Sequence, residues 1–231
     1  MINERTRLNS LIVGYAITLM GLLVVTGWAL DIVILKSIVP GFPTMKLNNA
    51  ICFTLLGISF LFLHFKNNYA LVSQLLAAIV FIIALITISQ DIFDYSSGID
   101  ELFVRDEFAR VTGLAIPGRM ATTSSLCFIL VSTSFVFIKS KYRSLRFFSQ
   151  QLLQVCVGIS AIAILGYLYS IPALYKLAFL SSMALHTSIG FLVLSVAAIF
   201  VNPSLGVIRL FIGSRIGNVM ARKLFPIMVI M

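Results

Sequence analysis

The chain alternates long apolar runs with short polar breaks. The runs cover roughly Leu11–Leu30, Leu47–Phe65, Tyr69–Ser89, Thr123–Ile138, Leu152–Leu168 and Met183–Val201. A helix rising ~1.5 Å per residue needs about 20 residues to cross the hydrocarbon core. The runs approach that length, the shorter ones extending into polar flanks, and predict six membrane-spanning helices. Leu11–Leu30 exceeds the roughly 7–15 apolar residues of a signal peptide, and no small-x-small cleavage pattern follows, so it reads as an uncleaved span. Leu224–Met231 is apolar but too short to cross, which predicts a seventh span cut by the end of the sequence and a larger parent protein.

Two connections are longer than turns. Gln90–Met120 carries Asp91, Asp94, Asp100, Glu101, Asp106 and Glu107, and reads as a solvated acidic surface rather than a cation site. It lacks the spacing of an EF-hand loop. In Asn202–Lys223, Leu205, Ile208, Ile212, Ile216 and Val219 recur every three or four residues with Arg209 and Arg215 between them. That pattern suits an amphipathic helix on a membrane surface or an ordinary juxtamembrane connector. The predicted organisation is a six-span membrane domain over 1–201, a connector over 202–223 and the start of a seventh span over 224–231.

Composition agrees with the pattern. The 231 residues are 60% hydrophobic and 11% charged, and the mean hydropathy is +1.06. This is the composition of a polytopic membrane protein, whose backbone must close its own hydrogen bonds as helices. The net charge of +9 is distributed over the loops, and nucleic-acid binding is set aside. With the N-terminus in the cytoplasm, the inner segments hold Arg5, Arg7, Lys66, Lys139, Lys141, Arg143, Arg146, Arg209, Arg215, Arg222 and Lys223. The outer segments hold Lys36, Lys46, Arg105, Arg110, Arg119 and Lys176. This asymmetry orients the N-terminus inward. Cys52, Cys127 and Cys156 all fall in apolar runs, without disulfide-framework or metal-ligand spacing.

One wording occurs three times. Met45-Lys-Leu-Asn-Asn-Ala-Ile-Cys-Phe53, Met120-Ala-Thr-Thr-Ser-Ser-Leu-Cys-Phe128 and Met183-Ala-Leu-His-Thr-Ser-Ile-Gly-Phe191 each open an even-numbered span at its outer end. The six spans therefore pair as three hairpins in parallel repetition, unlike the inverted repeats of many transporters. The polar pairs Asn48-Asn49, Thr123-Ser124 and His186-Thr187 are suited to capping a helix or bonding across helices. Cys52, Cys127 and Gly190 share a register one turn on, where small residues let helices approach. Two readings stand: a packing seam, or a seam that also holds a polar sensory pocket around Asn48, Thr123 and His186. His186 is suited to a structural hydrogen bond, to sensing a ligand or proton, or to ligating a metal or haem, the last disfavoured because no second intramembrane histidine is available, and His64 is suited to an interfacial role beside Lys66. No Walker A loop, G-x-S-x-G, H-E-x-x-H or dinucleotide fingerprint occurs. No catalytic residue, metal site or cofactor is expected in this segment.

Gly98–Phe103 (GIDELF), Pro117–Leu130 (PGRMATTSSLCFIL), Gly166–Tyr175 (GYLYSIPALY), Ser181–Leu194 (SSMALHTSIGFLVL) and Gly217–Pro226 (GNVMARKLFP) together resemble the N-terminal multi-span region of bacterial sensor histidine kinases and some diguanylate cyclases. The resemblance covers nearly the whole chain. One departure is that the family's Pro-Asn is Thr122-Thr123 here, making the polar pair of the fourth span hydroxylic. The resemblance implies a sensory input domain in the bacterial inner membrane and a homodimeric parent kinase. ATP, Mg and a response-regulator partner would belong to a kinase part beyond residue 231. The alternatives are the input domain of a diguanylate cyclase, or a small transporter or channel. A membrane enzyme acting on a lipid or quinone would need an interfacial cluster of acids or histidines, which Asp91 and Asp94 alone do not make.

Overall fold

The structure is a computed structural model that describes residues 4–37, 43–65, 69–112, 116–169 and 183–205. The predicted connector beyond residue 205 and the predicted seventh span lie outside the described residues. Eight helices are described: α1 (Glu4–Ala29), α2 (Val33–Lys36), α3 (Leu47–His64), α4 (Ala70–Phe93), α5 (Glu107–Thr112), α6 (Thr122–Phe137), α7 (Arg143–Leu168) and α8 (Leu185–Ile199). No strand occurs among the described residues.

Four helices are long and apolar enough to cross a membrane, α1 from Arg7, α3, α4 and α7. The other two predicted spans, α6 and α8, are apolar but only 16 and 15 residues long. At ~1.5 Å per residue each is shorter than a ~30 Å hydrocarbon core.

The helices pack as three antiparallel pairs, α1 with α3, α4 with α6, and α7 with α8. These are the three hairpins expected from the motif spacing. They form two layers. α3, α6 and α8 are the inner layer, with twelve of eighteen residues of α3 buried. α1, α4 and α7 are outer, and α4 buries only six of twenty-four. The outward faces of the outer layer are aliphatic, as at Ile12 and Leu19, Leu75 and Ile82, or Val155 and Ile162. The interior, by contrast, holds fully buried Ser59, Ser73, Ser132, Ser134, Ser149 and Ser160. Apolar side chains outside and small hydroxyls inside are the arrangement of a membrane-embedded bundle, where helices adhere by close packing and internal hydrogen bonds.

The inner helices meet along one seam. Phe53, Phe128 and Phe191 touch one another with ring centroids 4.6–4.9 Å apart. Leu56, Val131 and Leu194 follow on the same faces, then Phe60, Phe135 and Ala198, all buried. Steps of three and four residues keep one face turned to the axis.

The outer helices also repeat. Ser10, Gly14, Ile17, Gly21 and Val24 of α1 are buried, as are Ser73, Ala77, Val80, Ala84 and Thr87 of α4, and Ser149, Leu153, Cys156, Ser160 and Ala163 of α7. α1 carries the smallest residues and makes the closest approach. A Cβ on Gly21 would lie 2.7 Å from the Ala50 carbonyl, and one on Gly57 would lie 2.7 Å from the Thr18 nitrogen.

Overpacking of this kind costs ~1–3 kcal/mol. Gly57→Ala should therefore lower the unfolding temperature of the detergent-solubilised protein by about 2–4 °C per kcal/mol lost. Gly158→Ala, at a site with nothing within 4 Å of an added Cβ, is the control that should not move it. Equal melting of the two variants would refute the close-approach account.

Candidate functional site

All three motif copies lie at the end of the bundle where α3, α6 and α8 begin. Their methionines, Met45, Met120 and Met183, are fully buried. The residue before each helix, Lys46, Ala121 or Ala184, makes no side-chain cap.

The two members of each polar pair face differently. Asn49, Ser124 and Thr187 stand one turn before Phe53, Phe128 and Phe191, on the faces that meet at the axis. They are 3%, 0% and 0% exposed. Asn49 Oδ1, Ser124 Oγ and Thr187 Oγ1 have no hydrogen-bond partner. Such groups are rare in folded proteins, and each unmet one costs ~1–3 kcal/mol. Asn48 instead turns to the cap, donating Nδ2–H to the Ile99 carbonyl at 3.2 Å. Thr123 is buried. His186 is also buried, with Nε2 unpartnered. It stands one turn before Gly190, whose missing side chain leaves space taken by Met20 of α1 and the Phe53 ring. The sequence grouped Asn48, Thr123 and His186 as the pocket; the structure puts the second member of each pair on the axis.

The small-residue register does not do one job. Cys127 meets Cys156 of α7 across a hairpin joint, whereas Gly190 admits Met20 and Phe53. Cys52, Cys127 and Cys156 are all buried and free.

The acidic connection is a structured cap rather than a solvated surface. Arg119 donates to Asp100 at 3.1 Å, to Asp91 at 3.2 Å and to the Tyr95 carbonyl at 3.0 Å. Asp91 also accepts the Thr122 hydroxyl at the start of α6, at 2.6 Å. Asp100 accepts from the Gln90 amide. Lys46, just before α3, pairs with Asp106, whose side chain is 1% exposed. Asp106 caps α5 through the Ala109 N–H at 3.1 Å and accepts the Gly118 N–H at 3.2 Å. Gly118 has φ +69°, and a Cβ there would lie 2.7 Å from the Asp100 carbonyl carbon, so glycine alone fits. Glu101 accepts the Asp106 N–H at 2.8 Å and pairs with Arg110. Between these groups lies a cleft of about 260 Å³ lined by Ser96, Gly98, Asp100, Glu101, Arg110, Ile116 and Pro117.

Polar clasps join neighbouring hairpins. Between the first and second, Ser59 Oγ and Ser73 Oγ are 2.9 Å apart, and Lys139 donates to the Leu63 carbonyl. Between the second and third, Ser134 Oγ and Ser149 Oγ are 2.7 Å apart, and Asn202 donates to the Ile138 carbonyl at 2.7 Å. These are repeat-equivalent bonds. At the third joint, between α8 and α1, the positions equivalent to the clasping serines are Ala197 and Ser10. The position equivalent to Lys139 and Asn202 is His64, whose Nδ1 meets the Phe60 carbonyl of its own helix and whose Nε2 is unpartnered. That joint is also the thinnest of the three.

Among the described residues no group of three or more His, Cys, Asp or Glu side chains is placed to hold a metal ion. No protein-family model, curated protein or solved structure matches the chain.

Burial alone would raise the Asp106 carboxyl, but Lys46 and the Ala109 and Gly118 N–H groups hold it below the usual carboxylate range. The Arg110 guanidinium, aided by the Asp106 N–H, holds Glu101 below its usual value. Depressed carboxyls contribute stability that is present above their unfolded pKa and is lost as pH falls through the folded one. Amide exchange over residues 99–110 should therefore rise below pH about 4, and Asp106→Asn should remove most of that acid response. A cap whose exchange is unchanged by acid would contradict this assignment.

Proposed function

We propose that the chain is the membrane-embedded sensory input region of a bacterial sensor histidine kinase. In this reading it crosses the inner membrane six times, with α6 and α8 completing their crossings through apolar flanks such as Ile138 and Val201. A seventh span begins at Leu224, and the N-terminus is cytoplasmic. The observation that carries the reading is the convergence of three motif copies on one buried polar ring beneath an ordered cap. The family resemblance of those same segments supports it. ATP and Mg chemistry, the response regulator and dimerisation belong to the kinase part that the resemblance implies. A diguanylate cyclase output fits the same resemblance.

The orientation draws support from charge. The end opposite the cap bears Arg7, Lys139, Lys141, Arg143 and Arg146, and the positive-inside rule turns it to the cytoplasm. Leu102 is 66% exposed in the cap and Tyr142 57% exposed at the opposite end. In intact cells Leu102→Cys should react with a membrane-impermeant maleimide, and Tyr142→Cys only after permeabilisation. The reverse pattern would invert the topology, and labelling of both from outside would overturn the span count between them.

Signalling in this reading is a two-state repacking of the inner helices, biased by a stimulus at the cap end. The α8–α1 joint is the one that moves, because among the described residues it alone lacks the repeat-equivalent clasp. The full-length gene product in membranes should phosphorylate itself on histidine from ATP. Ala197→Ser with His64→Asn, which supplies the missing clasp residues, should shift its basal level several-fold in one direction. Formation of cyclic-di-GMP would transfer the output to a cyclase. Solute flux with neither activity would overturn the sensory reading in favour of transport.

A further inference from the structure

We propose that the cleft in the cap binds a small organic ammonium ion, with its charged end on the Asp100 carboxylate and its apolar body against Ile116 and Pro117. The inference names a ligand class for the sensory reading and rests on that reading for any signalling role, while the binding itself is testable alone.

The space comes first. The cleft holds about 260 Å³. Its walls are held close: a Cβ on Gly118 would lie 2.9 Å from Glu101 Cγ and 2.7 Å from the Asp100 carbonyl carbon, so the segment of Ile116 and Pro117 runs beside Asp100 and Glu101. A water takes up about 30 Å³, so the volume admits a molecule of several heavy atoms.

One carboxylate oxygen at this cleft has no partner. Asp100 lines the cleft, and its side chain is 6% exposed. Its Oδ2 accepts from Gln90 and from Arg119, whereas its Oδ1 accepts from nothing. A buried ionised oxygen is costly without a donor.

The surrounding ion pairs fall short by one positive charge. Lys46 pairs with Asp106 and Arg110 with Glu101, one cation to one carboxylate. Arg119 alone serves both Asp91 and Asp100. An ammonium group supplies the missing charge together with N–H donors for Oδ1.

The rest of the lining selects an organic cation. Among the described residues no group of three or more His, Cys, Asp or Glu side chains is placed to hold a metal ion. Ile116 and Pro117 offer an apolar wall instead, and Gly98 leaves its side open, with nothing within 4 Å of an added Cβ. Such a wall suits a short hydrocarbon and does nothing for a hydrated inorganic ion. The site is also tied to the seam. The Ile99 carbonyl, next to Asp100, accepts from Asn48 of the first motif copy, and Arg119 directly precedes Met120 of the second.

The test uses the full chain in detergent, unfolded by heat in isobutylammonium chloride, in sodium chloride at equal ionic strength, or in isobutanol at equal concentration. Isobutylammonium should raise the unfolding temperature by about 2–4 °C above both controls. Asp100→Asn should abolish that difference. Because Asp100 also holds Arg119, a second variant leaves those ties intact: Ile116→Lys, at a residue 52% exposed, sets a cation on the cleft wall and should abolish the difference too. In the unaltered protein isobutylammonium should slow amide exchange over residues 96–101, and isobutanol should not. Equal stabilisation by sodium would reduce the cleft to a simple ion site, and equal stabilisation by isobutanol to an apolar pocket; either overturns the proposal, as does an amine effect that survives both substitutions. Amine binding by a full-length product that never phosphorylates itself on histidine would refute the kinase reading and leave the ammonium site standing.

Discussion

Contact among Phe53, Phe128 and Phe191 is the constraint on which the remaining geometry depends. Two edge-to-face pairs and one tilted pair, with centroids 4.6–4.9 Å apart, fix both the separation and the rotation of three helices. Once that layer is set, the helical period determines what stands above and below it. One turn toward the cap come the unpartnered oxygens of Asn49, Ser124 and Thr187. On the other side follow Leu56, Val131 and Leu194, then Phe60 and Phe135, whose rings stack at 5.7 Å. The polar ring is thus positioned by an apolar contact. Replacing any one phenylalanine would change the spacing at the motif level on all three helices.

Around this axis, polar groups act as connectors rather than as surface. In a bundle whose outside is aliphatic, a hydroxyl has no water to turn to and must find a partner inside. Ser59 with Ser73 and Ser134 with Ser149 satisfy each other across joints. Gln74 reaches the Val136 carbonyl at 3.0 Å and Gln150 the Ile199 carbonyl at 3.1 Å, tying the second and third hairpins internally in the same way. The first hairpin has Leu11 in place of the glutamine and compensates with glycines that bring α1 and α3 together. The cap adds a second set of ties, Lys46 to Asp106 and Arg119 to Asp91, that link the starts of α3 and α6 to one loop. A change in the cap is therefore mechanically connected to the seam.

Much of this was legible in the sequence, for identifiable reasons. The all-helical fold followed from apolar runs, and the hairpin pairing from the threefold motif, because Met, a polar pair and Phe are chemically distinctive. The repetition of α1, α4 and α7 was not legible, because Gly14, Ala77 and Leu153 share a burial position but not a residue type. The charges of the long connection were legible as charges only. That Asp106 would be buried against Lys46, sixty residues away, depends on a three-dimensional meeting with no local pattern. Asn48, Asn49, Thr123, Ser124, His186 and Thr187 were all legible as candidate residues of the seam, but which member of each pair faces the axis was not. Two adjacent helical residues differ by about 100° in direction, and a repeat alone does not say which one faces the axis. Six spans were read from apolar length, yet α6 and α8 are short as helices: all three inner helices start two residues after the motif methionine, but α6 and α8 end sooner after the motif phenylalanine, at Phe137 and Ile199, than α3 does at His64.

The unclasped joint between α8 and α1 also bears on how the molecule is built. Each hairpin, and each joint between successive hairpins, unites segments close in sequence, so it can form while the chain is still emerging from the ribosome. Meeting of α8 with α1 spans nearly the whole polypeptide and carries the largest loop-closure cost. On these grounds it is expected to form last, and among the described residues no serine or lysine clasp like those of the other two joints waits there to trap a premature or misregistered closure. The absent serine thus gives the growing bundle a late, correctable step, at which the third hairpin settles by packing after the first two have locked.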